Sequence, residues 1–462
     1  MDKYIFSEDF VWGAATSSYQ IEGAWNEGGK GLNIWDEFSH TPGKIKNNET
    51  GDVACDHFHK FKEDVLLMKQ LGLKAYRFSI SWARIIPKGN GNINEQGIKF
   101  YSDLIDSLLE AGIAPWVTLY HWDLPLTLQL EKDGWLNKDL ALDFKNYASV
   151  CFEHFGNRVK NWITFNEPWV TAILGYANGV MAPGRKSKSE PYIVAHNQLV
   201  AHAMAVEEYR KNFQPSQKGK IGISNNCDWR EPNSQNIEDL EAAERALEFF
   251  LGWFADPVYF GDYPEVMKTR LGDRLPKFTE VEKKLLKGSS DFFGLNHYTT
   301  MYAANFNPET SAPQDVYGNG GISEDQDVEL FVDKKWGRTS MGWAIVPWGC
   351  RKLLEWIDQR YNHPPIYITE NGMSENEELI NGKVDDPERI LFYQEYLKEC
   401  KIAIEHGVDL KGYFAWSLFD NFEWALGYEK RFGLIYIDFE TLNRIPKESA
   451  FWYKKVIENN GF

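Results

Sequence analysis

Cysteine is scarce: five are spread over 462 residues, at positions 55, 151, 227, 350 and 400, and no two form a C-x-x-C pair. An odd, scattered set builds neither a disulfide framework nor a zinc site, so reduced thiols are expected. Positive charge is short as well, with 50 Lys and Arg against 67 Asp and Glu and a formal net charge of −17. That surplus repels phosphate backbones and anionic lipid, which argues against nucleic acid and membrane as partners. No apolar run is long enough to span a bilayer, and the opening MDKYIFSEDF has no apolar h-region, so a cytoplasmic protein is expected. A G-x-G-x-x-G fingerprint is also missing, since PKGNGNINEQG (87–97) has the wrong spacing and follows a proline. With no P-loop, no Ser or Cys beside a companion base and no metal-ligand cluster, neither metal nor organic cofactor is expected.

Apolar material is ample: 43% of residues are hydrophobic and 25% charged, which suits a globular protein with a large core. Aromatics stand out, with 18 Trp, 22 Tyr and 29 Phe. Such rings fill cores and also make stacking surfaces for sugars, and composition does not separate the two uses. Helical spacing links Phe58, Phe61, Val65 and Met68 before Gly72, then Tyr101, Leu104, Ile105 and Leu108 before Gly112, then Phe144, Tyr147, Cys151 and Phe155 before Gly156. Each set runs into a strand-like segment, AYRFSISW, IAPWVTLYH and VKNWITFNE respectively. FVWGAATSSYQ near the start, with IGISNN, DFFGLNHY, IYITENG and LKGYFAWSLFD later, brings the strands to eight, and helical patterns at Leu353 to Tyr361 and Pro387 to His406 precede the last two. This alternation predicts an α/β fold, a single (β/α)8 TIM barrel domain over 1–462 with long βα loops forming a deep pocket. An open doubly wound sheet is the runner-up and lacks its glycine signature. The polar stretches near 185–190 and 305–335 are expected to be long loops on the barrel frame.

In such a barrel, chemistry takes place at the C-terminal ends of the strands. Those ends carry Gln20, Arg77 to Trp82, His121, Asn166 with Glu167, Asn225, Asn296 with Tyr298, Glu370, and Trp416 leading to Glu423 and Trp424. Hydrogen-bonding groups and indoles in this mixture suit a neutral polyol. TFNEP (164–168) and IYITENG (366–372) each run an apolar strand into a carboxylate. Glycoside cleavage needs one protonated carboxyl to donate to the leaving oxygen and one ionised carboxylate on the other face of the ring. An apolar, crowded setting raises a carboxyl's pKa, a nearby cation keeps its partner ionised, and Arg77 on the second strand is the candidate cation. Either glutamate alone also fits an N-cap or a strand-end ion pair; both together, in matching contexts, favour chemistry. His121 fits a ring bonded to a hydroxyl or a satisfied core histidine, since no strand-end Asp or Ser completes a triad. His57 and His59 fall on different helix faces, which disfavours a shared metal, and His196 and His202 lack a companion acid. Trp82, Trp122, Trp162, Trp253 and Trp356 are expected in the core, whereas Trp416 and Trp424 bracket Asp420, Asn421 and Glu423 and suit a sugar platform.

Through FVWGAATSSYQIEGA, YRFSISWARIIP, LYHWDLP, TFNEPW, YITENG and WSLFDNFEWALGYEKRFGLIYID, in this order almost to the C-terminus, the chain closely resembles family 1 glycoside hydrolases of the β-glucosidase type. The resemblance implies a retaining double displacement, with Glu167 as general acid/base and Glu370 as the nucleophile that forms a glycosyl-enzyme ester, about 5–5.5 Å apart. It implies glycone contacts from Gln20, His121, Asn166, Glu423 and Trp424, a platform in Trp416, and support of Glu370 by Arg77 and Tyr298 with Asn296 close by. Asn225, Trp169 and Trp343 resemble the entrance subsites. The implied substrate is a terminal non-reducing β-D-glucosyl residue, with β-galactosides and β-fucosides beside it, on cello-oligosaccharides from cellulose degradation or on aryl glucosides. Thioglucosidases of the family carry Gln at the acid/base; Glu167 is intact, so an O-glycosidase is expected. A 6-phospho-β-glycosidase would lack the NFEW carboxylate, and a non-catalytic sugar-binding relative would have lost a catalytic one. One departure is His297 in NHY, where the family commonly has Tyr, with its flanking residues unchanged. The expected partner is a small sugar; assembly into a homo-oligomer is left open by the sequence.

Overall fold

Eight parallel strands close on themselves: β1 (Val11–Ala15), β2 (Ala75–Ser79), β3 (Ala114–Tyr120), β4 (Asn161–Asn166), β5 (Lys220–Asn226), β6 (Phe293–Asn296), β7 (Ile366–Asn371) and β8 (Leu410–Trp416). Each pairs with its successor, and β8 pairs with β1 from Val11↔Gly412 to Ala15↔Trp416, so the (β/α)8 barrel has no edge. This computed structural model describes residues 4–309, 311 and 321–462. Strands covered on both faces read as continuous apolar runs, and β2 and β7 are buried at every residue.

Helix Glu95–Glu110 shows how the crossovers form. The Asn94 side chain accepts from the Gln96 backbone N–H, and Ile98, Tyr101, Leu104, Ile105 and Leu108 bury one stripe. Gly112, at φ +77°, then turns the chain into β3, a conformation that favours glycine. Helices Pro347–Arg360 and Pro387–Glu405 match the expected patterns ahead of β7 and β8. Inside the barrel, Trp116 fills the centre, with ring centroids 4.7 Å from Tyr367, 5.1 Å from Phe414 and 5.6 Å from Phe292. This layer of rings floors the C-terminal mouth, and Trp416 belongs to the same cluster. Among the described residues, no helix is long and apolar enough to cross a membrane.

Two expectations need correction. The first strand stops at Ala15, and Gln20 lies on the short helix Ser18–Ile21 instead. The stretch 305–335 is not one loop: helix Gly321–Gln326 and strand Val328–Phe331 fall within it, while 310 and 312–320 lie outside the described residues. Strand Val328–Phe331 pairs with Thr300–Asn305, which pairs with Trp229–Pro232, giving a small sheet built from loops that follow β5 and β6. The stretch 185–189 is irregular, as expected.

Candidate active site

Glu167 follows β4 at φ +46° and ψ +65°, a left-handed conformation uncommon for a residue with a Cβ. It occupies the N-cap position of the short helix Pro168–Val170 but makes no capping bond, so capping does not explain it. Its Oε1 accepts instead from Asn296 Nδ2 at 2.7 Å. Glu370, inside β7, accepts from Arg77 Nη1 at 2.6 Å and from the Tyr298 hydroxyl at 2.7 Å. Strand register slips between Ile163 and Asn166 and again between Ile368 and Glu370. Irregularities of this kind re-aim side chains beside active sites, and here one precedes each glutamate.

The groups around the pair hold one another. Thr369 Oγ1 donates to Asn296 Oδ1 at 2.6 Å, which turns the Asn296 amide nitrogen toward Glu167 and toward Asn166 Oδ1, 2.9 Å away. Arg77 Nη2 also donates to Asn166 Oδ1 at 2.6 Å, so Asn166 Nδ2 is left facing His121 Nε2 at 3.1 Å. Burial lifts Glu167 well above the usual carboxylic range, and the charge of Glu370 adds to it. Burial raises Glu370 too, but Arg77 and Tyr298 pull it back. With a cation on Glu370 and only an amide bonded to Glu167, the proton of the pair resides on Glu167. Arg77→Met is therefore expected to raise the pKa of Glu370, moving the acidic limb of the kcat/KM profile to higher pH and lowering kcat/KM at neutral pH by on the order of 10²-fold. A pH–rate profile checks this, and an unmoved acidic limb would remove Arg77 from that role.

These groups open into a cavity of about 430 Å³. His121, Glu167, Trp169, Asn296, Tyr298, Trp343, Glu370, Trp416, Glu423 and Trp424 all line it. The His121 ring lies nearly parallel to Trp416 and to Trp424, with centroids 5.9 Å away in each case. Burial, helped by Arg77, holds His121 well below its ordinary pKa, so the ring is neutral; because Nε2 accepts from Asn166, its proton sits on Nδ1. Glu423 is half-buried and pushed up to about 8, first by burial and then by the charge of Glu370. Gln20, Asn166 and Arg77 are buried and do not line the cavity; Gln20 donates to Asn421 Oδ1 at 2.9 Å, to the Phe422 carbonyl at 3.0 Å and, longer, to Glu423 at 3.4 Å.

Asn225 is a correction: it is buried, and its neighbour Asn226, paired in register with Asn296, lines the cavity in its place. Trp122 is buried in the core cluster, as expected, and in addition lines the cavity, with φ +74° and its indole N–H on the Asn166 carbonyl at 2.9 Å. The other histidines weighed in the sequence have structural partners: buried His57 pairs with Asp64 at 2.7 Å, His59 with Asp56 at 2.5 Å, His196 bonds the Tyr263 hydroxyl at 3.0 Å, and His202 bonds Thr164 and Ser289. All five cysteines are free and buried. Sequence reasoning missed Asp228, Phe250, Met181, Met301 and Met341, which also line the cavity. Outside the site, Glu375, Glu377 and Asp386 converge, with Arg389 paired to Asp386 at 2.9 Å and also to Glu377, and Lys447 to Glu377.

Two carboxyls of unequal proton affinity at the mouth of a closed (β/α)8 barrel, ringed by indoles and amides, define a glycoside hydrolase site. A family model described as glycosyl hydrolase family 1 matches residues 2–462, and the chain belongs to that family. It is 51% identical to β-glucosidase 42 of Arabidopsis thaliana, across 98% of this chain and 94% of that protein. Among solved structures it is similar to a rice Os3BGlu6 β-glucosidase mutant in a covalent complex with Glc, at TM-score 0.93 and 46% identity over 97% of this chain and 98% of that one. It is equally similar to the family 1 β-glucosidase of Thermotoga maritima, at TM-score 0.93 and 45% identity over the full length of both. The protein is accordingly an enzyme of the β-glucosidase type.

Proposed function

We propose that the enzyme removes terminal β-D-glucosyl residues, and β-galactosyl and β-fucosyl residues beside them, from aryl glucosides and cello-oligosaccharides with retention of configuration. Glu370 attacks C1 while the Glu167 carboxyl gives its proton to the leaving oxygen; a C–O ester forms as the glycosidic bond breaks. Esterification removes the negative charge of Glu370, the pKa of Glu167 falls, and Glu167 then takes a proton from the water that cleaves the ester. The observation that carries the reading is the unequal setting of the two glutamates around Asn296: Arg77 and Tyr298 bond one, and a single amide bonds the other. Proton NMR of the earliest product from an aryl β-glucoside tests it. Appearance of the β-anomer is expected; the α-anomer first would mean inversion.

A 6-phosphorylated glycone fits less well. No Lys or Arg lines the cavity among the described residues, while Glu167, Asp228, Glu370 and Glu423 all do, so a phosphate dianion would be buried uncompensated. The apolar part of the lining is assigned to the aglycone. Met181, Met301, Met341, Leu174 and Phe250 give it a soft, apolar wall that adapts to varied shapes. Along a series of alkyl β-glucosides, kcat/KM is expected to climb by up to about fourfold per added methylene until the wall is covered, from about 0.8 kcal/mol per buried methylene. A series flat from methyl to hexyl would show that this wall does not contact the aglycone.

A further inference from the structure

A second cavity lies among Ser18, Asn33, Asp36, Ser81, Arg84 and Asp123, and shares no lining residue with the first. It leaves about 10 Å³ of room for the centre of a water molecule, close to the minimum of about 10–15 Å³ that one water requires. Five of these residues each keep one buried polar atom with no partner: Asn33 Nδ2, Asp36 Oδ1, Ser81 Oγ, Arg84 Nη1 and Asp123 Oδ1. None of the five residues is more than 1% exposed. Their other polar atoms are engaged: Asn33 Oδ1 accepts from the backbone N–H of Trp35 and Asp36, Asp36 Oδ2 from Lys30 at 2.7 Å, and Asp123 Oδ2 from the Ser18 hydroxyl at 2.7 Å, while Arg84 Nε donates to Glu22 at 3.0 Å. Buried polar atoms are rarely left unpaired, and orphans on residues that line one small cavity point to a bridging ligand, of which a single water can meet at most four.

The chemistry of the set selects that ligand. An amide N–H and a guanidinium N–H donate, two carboxylate oxygens accept, and a hydroxyl does either. A cation would meet Arg84 and Lys30, and an anion would meet Asp36 and Asp123. Water alone both donates and accepts. We propose that this cavity binds a structural water bridging Asp123 and Arg84, and that Asp123 is thereby a positioning residue for the sugar site. Ser18 opens the short helix that carries Gln20, which bonds the lining residue Glu423, and Asp123 directly follows the lining residues His121 and Trp122, so the Ser18–Asp123 bond ties the support of one wall to the segment that forms another across 105 positions. Trp122 holds its left-handed backbone one residue from this anchor.

Crystals of the full chain that resolve ordered solvent are expected to show a water within hydrogen-bonding distance of Asp123 Oδ1 and Arg84 Nη1. An anomalous peak there after a thallium soak would replace the water with a monovalent cation, and side chains bonded directly to one another would overturn the site. The positioning role rests on the reaction proposed above and is read separately. Asp123→Asn is expected to raise KM for an aryl β-glucoside about tenfold with kcat and both limbs of the pH profile nearly unchanged, the mark of lost uniform binding. Because Asn keeps an acceptor for the Ser18 hydroxyl, Ser18→Ala is the variant that removes the Ser18–Asp123 bond itself, and it serves should Asp123→Asn not fold; an unchanged KM in the folded variant overturns the role. If the unaltered enzyme cleaves no β-glucoside, the reaction fails and the crystallographic arm still decides the water.

Discussion

Glu370→Gln is expected to lower kcat for an aryl β-glucoside by on the order of 10⁴-fold or more, because an amide has no charge with which to attack C1. The replacement keeps the shape of the side chain and one acceptor oxygen for Arg77, while its amide N–H can donate to the Tyr298 oxygen, so the loss reports chemistry and not collapse of the pocket. A second effect accompanies it. The charge of Glu370 is one of the forces that raises Glu167, so the variant's Glu167 must titrate at lower pH than it does in the parent. Stopped assays with a chromogenic glucoside check the first effect, and an NMR titration of Glu167 checks the second. Equal rates in parent and variant would take Glu370 out of the reaction.

Glu167→Gln has a different signature. General acid help is needed most when the leaving group is poor, so kcat/KM is expected to drop by about 10²–10⁴-fold for an alkyl glucoside and far less for a dinitrophenyl glucoside. The later water attack also loses its base, so the ester accumulates and added azide, which needs no base, restores turnover as glucosyl azide. A plot of rate against leaving-group pKa tests this. A uniform fall along the series would assign Glu167 a binding role only.

Both glutamates were legible in the sequence because their signal is local: an apolar run buried in the barrel, then a carboxylate at its end, in TFNEP and again in IYITENG. The barrel itself was legible for the same reason, since helix stripes ending near Gly72 and Gly112 alternate with strands at short range. What escaped depends on distant partners. Whether Asn225 or Asn226 faces the cavity depends on pairing with β6, one position apart. Trp122 is core, as an indole in an apolar run usually is, but its second place on the cavity wall went unread, and its φ of +74° has no counterpart in composition. The strand at Val328–Phe331 was hidden because its partner, Thr300–Asn305, lies across a polar stretch. The methionine wall gave no periodic signal at all, being gathered from separate loops.

Closure of the barrel by β1 and β8 also bears on how the enzyme comes into being. Gln20 and Glu423, bonded at 3.4 Å, are separated by 403 positions, and Trp416 and Trp424 lie near the same late end. A chain still emerging from the ribosome holds Glu167 for most of its synthesis without the strand that seals the cylinder or the late segment that completes the cavity lining. Competence arrives with the final segment, all at once, and a translation product cut short before Glu423 is inert rather than partly active.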